Sequence, residues 1–395
     1  MIPIIAEIFN RGISGVPSLF NVLKYVSWLV VIFVMKWYFG GAVNKSERNM
    51  HGKVVMITGG TSGIGAHVAE GLAKRGAQLV LLTQHALSDP FMVDYVMDLR
   101  LRTNNQLITA ECVNLASLHS IRQFATKWVD NAPPRRLDMI ILCANNSSPG
   151  KRKVFSEDGL EYDLAVNYLS NFHLLSILSP AIRAQPPDRD VRIIFGTCSS
   201  YLGGSLPNFA EHIAVDGVSQ KQSKKEEFKS PNVATYTSSS YQISKLSLMI
   251  FATAFQKLLN AYVRPDKHAN NARVVMVDPG WSRTPGMRRH ISNGSLLGLF
   301  LYLLTWPVWW LVLKSPEQGA QTFLYAAMEA NWGKGEGGKF LKECREMLPL
   351  KNEIFDEAIQ KKLWEASEKT IETLEKQGAL KRAQAKKEAT AKQKQ

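Results

Sequence analysis

Hydrophobic positions are laid out along the chain in three patterns. The first is nearly continuous. From Val16 to Tyr38 only Lys24 and Lys36 break an apolar stretch that carries Trp28, Trp37 and Tyr38. About 20 such residues match the apolar thickness of a bilayer, and lysine stems can carry their charge back to the head groups. Residues 16–40 are therefore expected to form a membrane anchor behind a tail, 1–15, and with no basic lead or small-residue cleavage site the segment is expected to be kept. A second apolar run, 295–313, has no charge and contains Pro307. A single crossing there would split one globular unit across the membrane, so a hairpin bent at Pro307 and lying on one leaflet is expected instead.

The second pattern is a βαβ alternation across residues 50–350. Short apolar, β-branched runs fall at Val54–Ile57, Gln78–Leu82, Met139–Leu142, Arg192–Phe195 and Arg273–Val277. The first two are joined by a helix-like stretch, Ala66–Arg75, that ends at Gly76, and the later intervals are long enough for crossover helices. The fold class implied is α/β, a doubly wound parallel sheet covered on both faces, with the anchor and the apolar hairpin added to it. A polar stretch from Asn208 to Ala234 reads as an exposed excursion.

The third pattern begins after Leu350, in a charged tail of residues 351–395. Phe355, Ile359, Leu363, Ala366, Thr370 and Leu374 recur at three- and four-residue spacing, predicting a surface helix through about Gln377. The remainder is expected to be frayed and basic.

Composition narrows the chemistry. A net charge of +14 favours anionic partners such as nucleotide phosphates or acidic lipid. The four cysteines are widely spaced and the eight histidines form no H-E-x-x-H motif, so neither a disulfide framework nor a metal site is indicated, and a reducing compartment is the default. The Trp306–Trp310 cluster sits among apolar neighbours, which argues for an interface anchor and against a nucleic-acid platform.

Two motifs carry chemistry. Thr58-Gly59-Gly60-Thr61-Ser62-Gly63-Ile64-Gly65 follows a strand and opens a helix. Glycines there let the backbone approach a pyrophosphate, whose charge suits the free N–H groups and dipole of the helix start, so a dinucleotide is implied. Tyr241 and Lys245 stand one helical turn apart, so both emerge on one face. An ammonium beside a phenol is expected to lower the phenol pKa from ~10 toward working pH, as a general acid/base requires.

With these motifs in this order the sequence resembles the short-chain dehydrogenase/reductases, most of all their retinol dehydrogenase-like and fungal membrane-associated members. The resemblance runs from Gly52 to Gly338 and takes in Asn114-Leu115-Ala116-Ser117-Leu118, Asp158-Gly159-Leu160-Glu161, Val166-Asn167, Asp278-Pro279-Gly280 with Thr284, and Lys314-Ser315-Pro316-Glu317. It implies a Rossmann-like sheet of about seven strands. It also implies roles. Tyr241 exchanges a proton with the substrate oxygen. Lys245 tunes Tyr241 and binds the nicotinamide ribose, and Asn167 supports a proton relay. Ser200, which matches S-x-x-G, is the implied catalytic serine, with Ser199 as rival. Counting forward from Arg192 places Cys198 at that point, so a bulge is needed to bring either serine into place.

Cofactor contacts are implied for Gly59, Thr61, Ser62, Gly63, Ile64 and Gly65, for Gln84 at the end of the second strand, and for Asn114, Leu115 and Ala144. The Pro279-Gly280 turn with Thr284 completes the set. Gln84 stands where an acid would favour NAD, which leans the reading toward NADP(H).

The resulting expectation is a membrane-associated NADP(H)-dependent oxidoreductase that interconverts a carbonyl and an alcohol on a lipophilic substrate, such as a retinoid, sterol or fatty aldehyde. Its expected place is the endoplasmic reticulum membrane or the lipid droplet, with the catalytic domain facing the cytosol. No nucleic-acid partner is expected, and pairing into homo-oligomers, frequent among such relatives, stays open. The alternative is a catalytically weak scaffold of the same fold on a membrane surface.

Overall fold

The computed structural model describes residues 17–148, 153–213 and 233–393. The 1–15 tail and most of the polar excursion, from 214 to 232, lie outside the described residues.

The apolar runs form the strands expected of them. β1 (Val54–Thr58), β2 (Gln78–Thr83), β3 (Ile108–Cys112), β4 (Met139–Leu142), β5 (Val191–Gly196), β6 (Ala272–Asp278) and β7 (Lys339–Lys342) are joined by parallel pairing. A short β8 (Arg345–Met347) adds antiparallel to β7, so the sheet has eight strands in the order β3-β2-β1-β4-β5-β6-β7-β8, one more than expected. The order reverses between β1 and β4, and the carboxyl ends of the strands there open a crevice that α/β sheets use for ligands. β3 and β7 escaped the sequence reading. Ile-Thr-Ala-Glu-Cys and Lys-Phe-Leu-Lys carry too few apolar positions to stand out in a chain where buried strands are continuous.

Both faces of the sheet are buried, and side chains alternate between two cores. Met56, Val80, Ile140, Ile193, Phe195 and Met276 point to one, Val55, Ile57, Leu79, Ile141, Ile194 and Val275 to the other. The second core is closed by α2 (Gly63–Ala73), through Val68, Ala69 and Leu72. The first is closed by α4 (Leu118–Val129) and α5 (Ser170–Arg183), whereas α3 (Pro90–Thr103), earlier in the chain, adds Leu99 to the second core. The long α6 (Val233–Ala261) adds Met249, Phe251 and Phe255 to that core.

After β6 the chain makes an apolar excursion of three short helices, α7 (Pro285–Ile291), α8 (Leu296–Leu304) and α9 (Trp306–Val312). The break falls at Thr305, and Pro307 sits in the first turn of α9, where its missing N–H is no loss. α10 (Pro316–Met328) then returns to the second core under a capping box made by Ser315 and Gln318.

The tail departs from expectation. It is helical from Glu357 through Gln393 (α11), well past the predicted end at Gln377. Gly378 is the weakest position in that stretch, and the Ala, Lys, Glu and Gln around it are strong helix formers that carry the helix through. Its inner stripe is Leu363, Ser367, Thr370, Ile371 and Leu374, with Trp364 packed 5.0 Å from Phe172 and 5.6 Å from Phe251 between ring centroids. The tail is thus part of the core, each buried aliphatic residue contributing about 1.5–3 kcal/mol.

At the other end, the expected anchor is α1 (Pro17–Gly40). Among the described residues no helix is long and apolar enough to cross a membrane.

Candidate active site

Four loops at the carboxyl ends of β1, β4, β5 and β6 converge with the start of α6. The first is the glycine turn between β1 and α2. A Cβ on Gly59 would lie 2.7 Å from Ala144 Cα, and one on Gly65 would lie 2.1 Å from the Gly59 carbonyl oxygen. Neither position can hold a side chain, so the turn stays tight and its backbone accessible. Thr61 and Ser62 line the outer part of the turn, Ile64 packs against the second core, and Gly63 abuts Thr284, so the sequence-predicted Ala144 and Thr284 both meet it. Ser62 caps α2 without a side-chain hydrogen bond, leaving the first amides of the helix available to an anion. This cradle fits a dinucleotide pyrophosphate.

Farther along the same edge, Gln84 is exposed just beyond β2, beside a His85–Asp89 contact of 3.2 Å. Asn114 turns its side chain onto the Ala116 N–H, and Leu115 packs against the first core. Pro279 and Gly280 are half-buried, and the Gly280 N–H donates to Asp278 Oδ1 at 2.9 Å.

The second feature is the Tyr241 hydroxyl. Asn145 Nδ2 donates to it at 3.2 Å and Cys198 Sγ lies 3.4 Å away. Lys245 Nζ stands 5.7 Å from the Tyr241 ring centroid and donates to the Gly196 carbonyl at 3.0 Å. Asn167 lies on a π-turn, Ala165–Leu169, that leads into α5. It clamps Asn146, accepting from its N–H at 2.7 Å and donating to its carbonyl at 2.8 Å, and donates to Ser244 Oγ at 3.1 Å. Ser244 in turn donates to the Tyr241 carbonyl, so Asn167 braces both the Asn145 loop and α6.

The serine expected here is absent from this contact. β5 runs in unbroken register along β6, from Val191 opposite Ala272 to Gly196 opposite Val277, so the required bulge does not form. The position facing Tyr241 is therefore Cys198. Ser199 donates to Asp278 Oδ2 at 2.6 Å and accepts from Lys342 Nζ at 2.8 Å. Ser200 lies in the 3-10 turn Ser199–Gly203, outside the hydrogen bonds that hold the Tyr241 hydroxyl. Asn145 was also missed. Its only signal was its place directly after Ala144.

Electrostatics revise a further expectation. Burial, then the Cys198 thiol, push the Tyr241 phenol well above its ordinary range, and the Asn145 donor opposes them only in part. Burial also lowers the Lys245 ammonium, against the pull of Cys198, Cys143, Asp278 and Asp163. The net shift of Tyr241 is thus upward, set first by desolvation, against the expectation that Lys245 lowers it. Cys143 is pushed up to about 12 by burial and is an inert thiol at neutral pH.

The family model for short chain dehydrogenase matches residues 53–201. The chain is 42% identical over 347 residues to the uncharacterized oxidoreductase pbr1 of Schizosaccharomyces pombe, covering 88% of each chain. This protein belongs to the short-chain dehydrogenase/reductase family. Retinol dehydrogenase 13 of Mus musculus is 29% identical over 345 residues, 86% of this chain and 89% of that one. The L-sorbose reductase of Gluconobacter frateurii, solved with NADPH and L-sorbose, shares the fold at a TM-score of 0.51 and 19% identity, over 75% of this chain and 97% of that one. As a short-chain dehydrogenase/reductase the chain is an oxidoreductase acting between CH–OH and C=O with a nicotinamide cofactor. The glycine turn is the part of its surface that such a cofactor fits.

Proposed function

We propose that this enzyme interconverts a carbonyl and an alcohol on a lipophilic molecule, with NADP(H) preferred, while lying on a membrane surface. The reading is carried by the protonated Tyr241 hydroxyl, held by Asn145 and Cys198 above a buried Lys245. The glycine turn, with Gln84, Asn114, Leu115, Ala144, Pro279, Gly280 and Thr284, holds the cofactor. When bound, that group supplies the hydride.

The protein supplies the proton. Tyr241 donates to the substrate oxygen as negative charge develops there, a contribution of roughly 10²–10⁴ in rate. Lys245 stabilises the phenolate left behind, and Asn145 and Cys198 aim the hydroxyl. Asn167 keeps both supporting loops in place through Asn146 and Ser244.

The lack of a carboxylate at Gln84 supports NADP(H). Exposed apolar side chains on α1, α8 and α9 support contact with lipid and hence a lipophilic substrate, as does the likeness to a retinol dehydrogenase. The endoplasmic reticulum or lipid-droplet surface facing the cytosol is the corresponding location.

The test is turnover of NADPH by the full chain with a panel of long-chain aldehydes, retinoids and sterol ketones. Turnover that disappears in Tyr241→Phe supports the reading. The cysteine in the serine position favours one competitor, a scaffold with little activity. Cofactor binding with no turnover on any member of the panel establishes that alternative.

A further inference from the structure

Large apolar side chains stand in water on two separate parts of the chain. On α1, Phe33 is 73% and Trp37 76% exposed; on α8, Leu296 is 88% and Leu304 68% exposed. Patches of this kind mark a binding face.

The two parts are fastened together. Lys36 Nζ donates to the carbonyls of Trp310, at 2.6 Å, and Leu313, at 3.3 Å, and lies 5.0 Å from the Trp310 ring centroid. It thereby caps the carboxyl end of α9 with a cation that suits the helix dipole. Arg283 covers the Trp306 ring at 5.3 Å. The excursion is pinned at its base, where Lys314 N–H donates to the Trp281 carbonyl and Arg283 N–H to the Lys314 carbonyl, both at 2.9 Å. That base adjoins the Pro279-Gly280 turn of the cleft. α1 and the excursion, far apart in sequence, thus form one plate beside the Pro279-Gly280 turn.

Charge decides what covers the plate. Between Pro279 and Ser315 the chain carries Arg283, Arg288, Arg289 and His290 and no acidic residue, its Lys314 being buried and neutralised by Glu343, and α1 carries Lys24 and Lys36 and no acid. No residue of α7 is buried, so Arg288 and Arg289 reach solvent. In a two-fold contact a second copy would meet the same cations on its own surface. Apolar side chains rimmed by cations match an anionic leaflet instead.

We infer that α1 and the α7–α9 excursion form a single docking plate for anionic lipid, clasped by Lys36 and rimmed by Arg288 and Arg289. This deepens the membrane-surface reading above and rests on it. Docking turns the mouth of the cleft toward the leaflet, where a lipophilic substrate resides.

The test uses the full chain and vesicles of phosphatidylcholine with or without phosphatidylserine, read by co-flotation, beside NADPH turnover of a water-soluble aldehyde. Binding to the phosphatidylserine vesicles is expected, weakened by salt and about 30-fold in the Arg288→Ala/Arg289→Ala double variant. Turnover of the soluble aldehyde is expected to stay unchanged in that variant. Equal binding to both vesicle types, or binding indifferent to the double variant, overturns the anionic assignment. Absence of vesicle binding, with self-association in its place, assigns the plate to a second copy and also overturns it. Failure of the catalytic reading is seen separately, as missing turnover.

Discussion

At the glycine turn nearly everything that bears on binding is main chain, whereas around Tyr241 nearly everything is side chain. The turn meets its ligand with amides and with the absence of Cβ atoms at Gly59 and Gly65. The Tyr241 cluster meets its ligand with one hydroxyl aimed by Asn145 and Cys198 and supported from behind by Lys245 and Asn167. The lesson is one of tolerance. A main-chain cradle rejects almost any added atom, while a side-chain cluster can exchange one polar group for another of similar size and keep its layout, as the thiol at 198 illustrates.

The largest expected effect is at the side-chain end. Tyr241→Phe removes the donor and lowers kcat by about 10²–10⁴-fold, with cofactor affinity unchanged in a fluorescence titration. A loss of affinity equal to the loss in rate would show that Tyr241 belongs to the cradle. Next comes Gly65→Ala. The added methyl meets the Gly59 carbonyl at 2.1 Å, so the turn has to open, at about 1–3 kcal/mol. Thermal unfolding and cofactor titration both register that cost. A variant as stable and as tight-binding as the parent would refute the main-chain account.

Cys198 separates the two ends more finely. Cys198→Ala removes one weak hydrogen bond from the phenol and is expected to cost about 1 kcal/mol, near fivefold in kcat/KM, whereas Cys198→Ser restores a stronger partner and keeps or raises the rate. Ser200→Ala is expected to change turnover by less than twofold, because Ser200 is not among the partners of the Tyr241 hydroxyl. A larger loss in Ser200→Ala than in Cys198→Ala would reverse the assignment.

The smallest effect is a shift in pH dependence. Burial raises Tyr241 and lowers Lys245, so with rising pH the ammonium loses its proton before the phenol does. The alkaline limb of kcat/KM then reports Lys245. In Lys245→Arg, whose charge persists at any accessible pH, the limb moves upward. A limb that stays in place assigns it to Tyr241 and contradicts the burial account.

Much of the fold was legible because it is local. The strand runs, the glycine turn and the Tyr241/Lys245 spacing each lie within a few residues, where periodicity and backbone sterics operate directly. Part of the site was legible for the same reason, since Ala144, Thr284 and Asn167 occupy loop and helix positions close to recognisable motifs. The serine was misplaced because the reading required a bulge in β5, and whether a strand bulges depends on its neighbours. β6 keeps β5 in even register, and that register delivers Cys198. Beyond Gln377 the charged composition predicts a frayed end, yet the helix continues to Gln393. The expected part of that helix is seated by Trp364 and Leu374 against α4, α5 and α6, a packing that the spacing alone did not assign to the core.

By itself, then, the order of residues determined a parallel α/β domain, a phosphate-friendly turn, a phenol one helical turn from an ammonium, and two apolar segments. It did so because each of these depends on neighbours in the chain. Which thiol or hydroxyl faces the phenol, how far desolvation shifts that phenol, and whether α1 and the excursion act as one plate were decided by the tertiary structure alone. Those outcomes depend on contacts between residues dozens to hundreds of positions apart, and such separations acquire a distance only when the sheet and its helices close.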